Sequence, residues 1–302
     1  MVRAEVTVTA IDIGSNSVRL LTVASDGTEL RRVVEVTGLA RDLDASGTLS
    51  EASVAATETV LASFASMIDH DGSDRVGIVA TSASRDATNG PDVMRRFERI
   101  IGVAPEIIGG GREAALSFAG ATAETAHIQQ VVVDIGGGST EIIDGSDAIT
   151  WAHSYDIGSV RLTDRCLPNQ LVSDDEVSSA REVAAAVFLS PVPAARSKRI
   201  VGVAGTFTSL AAMVLNLEAY DRMRVHRTEV STDDIEEIIR HLARMRPEEI
   251  AAIPSLDPKR APVILGGAIV ASAVMAAVGA TSVVASECDL LDGLAAELAG
   301  HR

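Results

Sequence analysis

The sequence predicts an α/β chain folded as two similar domains. Three observations carry that expectation: strand-like apolar runs alternate with helical patterns along the 302 residues, one strand-turn-strand segment occurs twice, and 47% apolar composition suffices for two cores. The two copies are "TAIDIGSNSVRLL", beginning at Thr9, and "VVVDIGGGSTEII", residues 131 to 143. Asp12 and Asp134 end the first strand of each copy and lie 122 residues apart, about one domain length.

Taken in order, the first copy is an apolar strand that stops at Asp12, turns through Gly14, Ser15, Asn16 and Ser17, and becomes a strand again. A plain hairpin turn needs only Asn-Gly, so the surplus of small polar residues points to a site. Val76 to Thr81 reads as a strand running through a polar turn into a helix. The polar "AETAHIQQ" then sets a boundary near His127, directly before the second copy with its turn Gly136, Gly137, Gly138 and Ser139. "IVGVAGTFTSLAAMV", from Ile200, passes from strand through Gly205 and Thr206 into a helical pattern. Thr232 to Met245 is an amphipathic helix started by Asp233 and Asp234. Ala261 to Ser286 carries no charge, but it is rich in Ala, Gly, Val and Ser and reads as a buried helix entering a strand, not as a membrane span.

Charge and composition exclude several functions. The net charge of −16 argues against a duplex nucleic-acid surface, and the two lysines, Lys198 and Lys259, form no Gly-Lys-Ser/Thr phosphate loop. The N-terminus shows no export signal, and Cys166 and Cys288 stand far apart without metal spacing, which places the chain in the cytosol with both thiols as buried apolar residues. The "DHDG" at Asp69 to Gly72 reads as a solvated helix end and turn.

Both turns suit phosphate. A glycine-rich turn lets backbone N–H groups converge on phosphate oxygens without lysine, and Ser and Asn add donors. A strand-end aspartate such as Asp134 is where a magnesium ion would be held, largely through its own water.

"DIGSNSVRLL", "ATSASRDATN", "IIGGGREAALSFAG", "VVVDIGGGSTEII", "DIGSVRLTDR", "VGVAGTFTSLAA" and "DPKRAPVILGGA" resemble, in this order, the exopolyphosphatase and guanosine pentaphosphate phosphohydrolase (Ppx/GppA) family, in its short two-domain form. The resemblance implies two actin-like, ribonuclease H-like domains with a cleft between them: residues 1–127, onto which a last helix near 288–302 packs back, and 128–302. It implies a phosphohydrolase releasing terminal phosphate from inorganic polyphosphate, using Mg2+ or Mn2+, as a cytosolic homodimer without membrane association. Guanosine pentaphosphate is the rival substrate and (p)ppGpp a possible ligand; an actin-fold phosphotransferase and a non-catalytic polyphosphate or alarmone sensor are further alternatives.

By the same resemblance Glu113 is the general base; Glu141, on the strand face of Ser139, is the second candidate for holding water or metal, and Arg85, just past a strand, is placed to fork phosphate oxygens. Asp134 is the metal carboxylate with Asp12 as its counterpart, and the two turns, Arg19, Gly205, Thr206 and Arg260 bind phosphate. The chain departs from the pattern at Gly109, Arg112 and Ala115. Arg112, beside the base, would either lower its proton affinity or reach substrate phosphate. Polyanionic substrate and acidic protein together lead to a preference for short chains.

Overall fold

The computed structural model describes residues 6–125, 127–168, 171–190, 192–193 and 198–300. Two compact units emerge, one holding the chain up to Gly120 together with everything from Leu290, the other Ala121–Asp289. The His127 boundary expected from sequence lies just beyond the helix that carries the first crossing.

In the first unit, β1 (Val8–Ile13), β2 (Ser17–Val23), β3 (Glu29–Val36), β4 (Arg75–Ala80) and β5 (Glu106–Ile107) form one sheet in the order β3-β2-β1-β4-β5. The β1–β2 and β2–β3 pairs are antiparallel, whereas β4 runs parallel to both β1 and β5. Its helices are α1 (Leu43–Ser46), α2 (Glu51–Asp71), α3 (Ser82–Asp86), α4 (Gly90–Ile101) and α5 (Gly110–Thr122). Helix α2 starts where the Ser50 hydroxyl accepts the Ser53 N–H, and it stops at Gly72, whose φ of 66° is cheap only for glycine. The "DHDG" that ends it is more than a solvated turn, because Asp71 takes both Nε and Nη2 of Arg31 from β3 at 2.6 and 2.7 Å.

In the second unit, β6 (Gln130–Ile135), β7 (Thr140–Gly145), β8 (Ile149–Tyr155), β9 (Arg199–Val203), β10 (Glu229–Ser231) and β11 (Ser282–Ala285) are ordered β10-β11-β9-β6-β7-β8. Read from the other edge, β8-β7-β6-β9-β11 repeats β3-β2-β1-β4-β5, with β10 added antiparallel at the end. The recurring hairpin is therefore the start of a recurring ribonuclease H-like sheet. Helices α6 (Ser159–Cys166), α7 (Asp174–Val187), α8 (Ala204–Val214), α9 (Arg222–Val225), α10 (Thr232–Leu242), α11 (Pro247–Ala251) and α12 (Ala261–Val278) surround it. Helix α10 is opened by a reciprocal Ser231–Asp234 cap, as its acidic start predicted.

Helix α12 is long and apolar enough to span a membrane, yet that stretch is 67% buried inside the unit, as expected of a core helix that runs on into β11. The cysteines differ from expectation, since both are half-buried. Cys166 packs on the core of the second unit, and desolvation there pushes its thiol pKa up.

The chain ends in α13 (Leu290–Ala299), which belongs to the first unit. Leu290, Leu291, Leu294 and Ala295 join Ala10 of β1, Leu21 of β2, Val79 of β4 and Leu116 of α5 in one buried cluster. Two ion pairs fasten it, Arg32 to Asp292 and Arg112 to Glu297.

Candidate active site

The two hairpins match residue for residue. In β1–β2, Ile13 pairs with Val18 and Asp12 with Arg19; in β6–β7, Ile135 pairs with Thr140 and Asp134 with Glu141. Each turn is closed by the same bond, Gly14 N–H to the Ser17 carbonyl and Gly136 N–H to the Ser139 carbonyl, both 3.0 Å. Glycine serves here by close approach: a Cβ on Gly14 would sit 2.9 Å from the Ser17 carbonyl oxygen, and one on Gly136 would sit 3.3 Å from that of Ser139.

Both turns are held from behind by the segment that follows the third strand. The Ser15 carbonyl accepts Ala40 N–H, and that of Asn16 accepts Thr37 and Gly38 N–H. In the second copy the Gly136 carbonyl accepts Ser159 N–H, and that of Gly137 accepts Val160 and Arg161 N–H at 2.9 and 3.0 Å. In a planar trans peptide the N–H points opposite to the C=O. The N–H groups of Asn16, Ser17, Gly137 and Gly138 therefore aim away from these supports, as an anion cradle requires. The Ser15 hydroxyl shares a 2.9 Å bond with that of Ser82, tying the first turn to α3.

The hairpins differ at one decisive position. Directly opposed residues on antiparallel strands share a face. In the first copy Asp12 meets its own cation, as Arg19 Nη2 and Nε donate to Asp12 Oδ2 at 2.6 and 2.9 Å. In the second copy the buried Asp134 faces a buried Glu141. Two neighbouring carboxylates withdrawn from water relieve their repulsion by sharing a proton, by hydrogen bonds or by binding a cation. Their all-oxygen chemistry fits a hard divalent ion such as Mg2+ or Mn2+. The structure thus sets Asp134 and Glu141 side by side, while the charges of Asp12 and Arg19 are turned on each other.

Glu113 stands in the first turn of α5, with its N–H on the Gly109 carbonyl, and is buried. Arg85 reaches it, with Nη1 at 3.6 Å from Glu113 Oε2, 3.1 Å from the Ile108 carbonyl, and Nε at 3.5 Å from Asp86. Arg112 is drawn to the last helix. Both of its terminal nitrogens are committed to Glu297 of α13, at 2.5 and 2.7 Å, and that carboxylate holds the guanidinium pKa above its ordinary value. The cation paired with Glu113 is Arg85.

In the second unit, Gly205 and Arg260 meet: a Cβ at Gly205 would lie 1.6 Å from Arg260 Nη1, so only glycine admits the guanidinium there. The neighbouring Ala204 has a φ of 64°, which costs an alanine about 1–2 kcal/mol. The Thr206 hydroxyl donates to the Ile135 carbonyl at 3.2 Å, so this side chain pins the end of β6. The sequence reading overlooked Ser154 on β8, whose hydroxyl donates to Glu141 Oε1 at 2.6 Å. Strand alternation puts Ser154 on a face, but only the β7–β8 register puts it opposite Glu141.

One other group of metal-ligating types occurs among the described residues, Glu124, His226 and Cys288. His226 Nδ1 accepts Glu287 N–H, so Nε2 carries the proton and donates it to Glu124 at 3.1 Å. In that tautomer the one ring lone pair is already taken by Glu287 N–H, and Arg227, with His226, holds the Glu124 pKa below the usual carboxylate range.

A doubled ribonuclease H-like sheet, a backbone cradle on each hairpin and an opposed carboxylate pair define a phosphate-handling class. The family model described as "Ppx/GppA phosphatase family" matches residues 16–301, and the chain belongs to that family. It is 38% identical to Exopolyphosphatase 2 of Mycobacterium tuberculosis, over 97% of this chain and 98% of that one. Among solved structures, an exopolyphosphatase-like protein superposes with a TM-score of 0.91 at 34% identity, covering 97% of both chains. The Aquifex aeolicus Ppx/GppA family member does so with a TM-score of 0.79 at 29% identity, covering 99% of both.

Proposed function

We propose that this chain is an exopolyphosphatase, hydrolysing the terminal phosphoanhydride of inorganic polyphosphate with water as acceptor, in the cytosol. The observation that carries the reading is the Asp134–Glu141 carboxylate pair beside the second backbone cradle, within a phosphatase family. Asp134 and Glu141 would hold Mg2+ or Mn2+, which when bound withdraws charge from the phosphoryl oxygens. In each unit the turn N–H groups offer donors to phosphate oxygens, with Arg85 as the cation of the first unit and Arg260 as that of the second. Glu113 takes the proton of the water whose oxygen attacks the terminal phosphorus, while the bridging P–O bond breaks and the shortened chain departs.

Mutual repulsion between a polyanion and a protein of net charge −16 lowers efficiency as the chain lengthens. Phosphate release from short polyphosphate, long polyphosphate and guanosine pentaphosphate, compared with and without Mg2+, tests the reading. Release fastest from short polyphosphate and abolished by chelator is expected. Preference for guanosine pentaphosphate, or full activity in chelator, overturns it.

A further inference from the structure

We propose that Ser154 is a positioning residue for Glu141, fixing the carboxylate in the orientation the metal site uses; this rests on the reading of Glu141 given above. Asp134, Glu141 and Ser154 are consecutive partners across β6, β7 and β8, so the three side chains stand in a row on one face of the sheet. Ser154 Oγ donates to Glu141 Oε1 at 2.6 Å, the short length of a charge-assisted bond.

Position explains purpose. Glu141 lies between a like-charged neighbour on β6 and a donor on β8. A glutamate turns freely about its terminal torsion unless something holds one oxygen. Ser154 anchors Oε1 on the side away from Asp134, which keeps the two acidic groups apart and the carboxylate plane fixed. Alanine at 154 would fit the strand equally well but donate nothing, and threonine would keep the donor. The half-buried location means that water replaces the hydroxyl poorly.

The test uses Ser154→Ala, Ser154→Thr, Glu141→Gln and the Ser154→Ala/Glu141→Gln pair in the full chain. Mn2+ binding to the metal-free protein is measured from the electron paramagnetic resonance of unbound Mn2+, and kcat and KM from phosphate release. Ser154→Ala is expected to weaken Mn2+ binding about tenfold, the scale of losing a hydrogen bond that orients a ligand. It should lower kcat while leaving KM for polyphosphate within a factor of about two, since the phosphate contacts stay in place. Ser154→Thr should restore both, and Ser154→Ala should add nothing once Glu141 is Gln. Wild-type Mn2+ binding and turnover in Ser154→Ala, with both lost in Glu141→Gln, overturns the proposal alone. Retention of both in Glu141→Gln overturns the reading of Glu141 and the proposal with it. A loss from Ser154→Ala that persists undiminished in the Glu141→Gln background shows a merely structural role and likewise overturns it.

Discussion

Gly158→Ala should disable the second hairpin without touching a side chain of the site. Gly158 is extended, with φ of −156° and ψ of −179°, so alanine can adopt its backbone and the whole effect is steric. A Cβ there would lie 2.6 Å from the carbonyl carbon and oxygen of Gly137 and 2.7 Å from the oxygen of Gly136. Ordinary carbon contacts need about 3.5–4.0 Å, and the obstructing atoms are backbone, so the turn must retreat by roughly 1 Å. That retreat weakens the bonds from Ser159, Val160 and Arg161 N–H to the turn. Overpacking of this kind costs about 1–3 kcal/mol, and each lost hydrogen bond adds about 0.5–1.5 kcal/mol. With one of the three bonds lost outright the local cost is about 1.5–4.5 kcal/mol, while a shift of about 1 Å in a substrate cradle costs roughly 10²-fold in rate. Phosphate release gives the rate, and amide hydrogen exchange over residues 136–139 and 159–161 reports the turn. Unchanged exchange together with near wild-type turnover would refute the argument that α6 sets the turn.

Glu113→Gln should lower turnover by about 10²–10⁴-fold with polyphosphate affinity kept within a few-fold, because it deletes a proton acceptor and keeps the volume; wild-type turnover would take the base role from Glu113. Arg19→Met should destabilise the first hairpin by about 3 kcal/mol, since it strips the guanidinium from a buried aspartate, and Asp12→Asn in addition should recover part of that. Trp151, the sole tryptophan, lies in the second unit, so exchange of the β1–β2 amides is the measurement, and unaltered exchange would count against the pairing. The Arg31 bond holds the Asp71 carboxyl below the usual carboxylate range. A depressed folded pKa adds stability above the ordinary carboxylate pKa near 4, and that stability is lost as pH falls through the folded value. Arg31→Gln should accordingly lower thermal stability at pH 7 more than at pH 3, and equal losses at both would exclude the linkage.

How far the sequence could be read depended on the range of each interaction. The doubled hairpin was legible because its pattern is local: strand, aspartate, glycine turn, strand. The opposition of Asp12 to Arg19 and of Asp134 to Glu141 follows from the same local count, since the turn fixes which residues face each other. Ser154 was not legible, because the β7–β8 register shifts at Asp144/Gly145 and no spacing rule predicts such an irregularity. Arg112 has a partner that was not legible, for a related reason. Its sequence neighbour is Glu113, but its spatial neighbour is Glu297, 185 residues on, brought there by packing of an apolar helix. The Gly205–Arg260 contact likewise joins residues from two distant segments, both recognised singly and neither recognisable as a pair.

The placement of α13 governs the order in which the protein can be made. Chains are synthesised from the N-terminus, and domains fold as units while they emerge. Ala121–Asp289 is one uninterrupted stretch and can complete itself as soon as it is out. The first unit cannot, although its strands appear earliest: the cluster containing Ala10, Leu21 and Val79 takes Leu290, Leu291, Leu294 and Ala295 from the far end of the chain. Until those last residues arrive, apolar positions on β1, β2 and β4 lack the helix that covers them. The half synthesised first is thus the half that finishes last, and through that interval it offers an uncovered sheet face to chaperones or to other nascent chains.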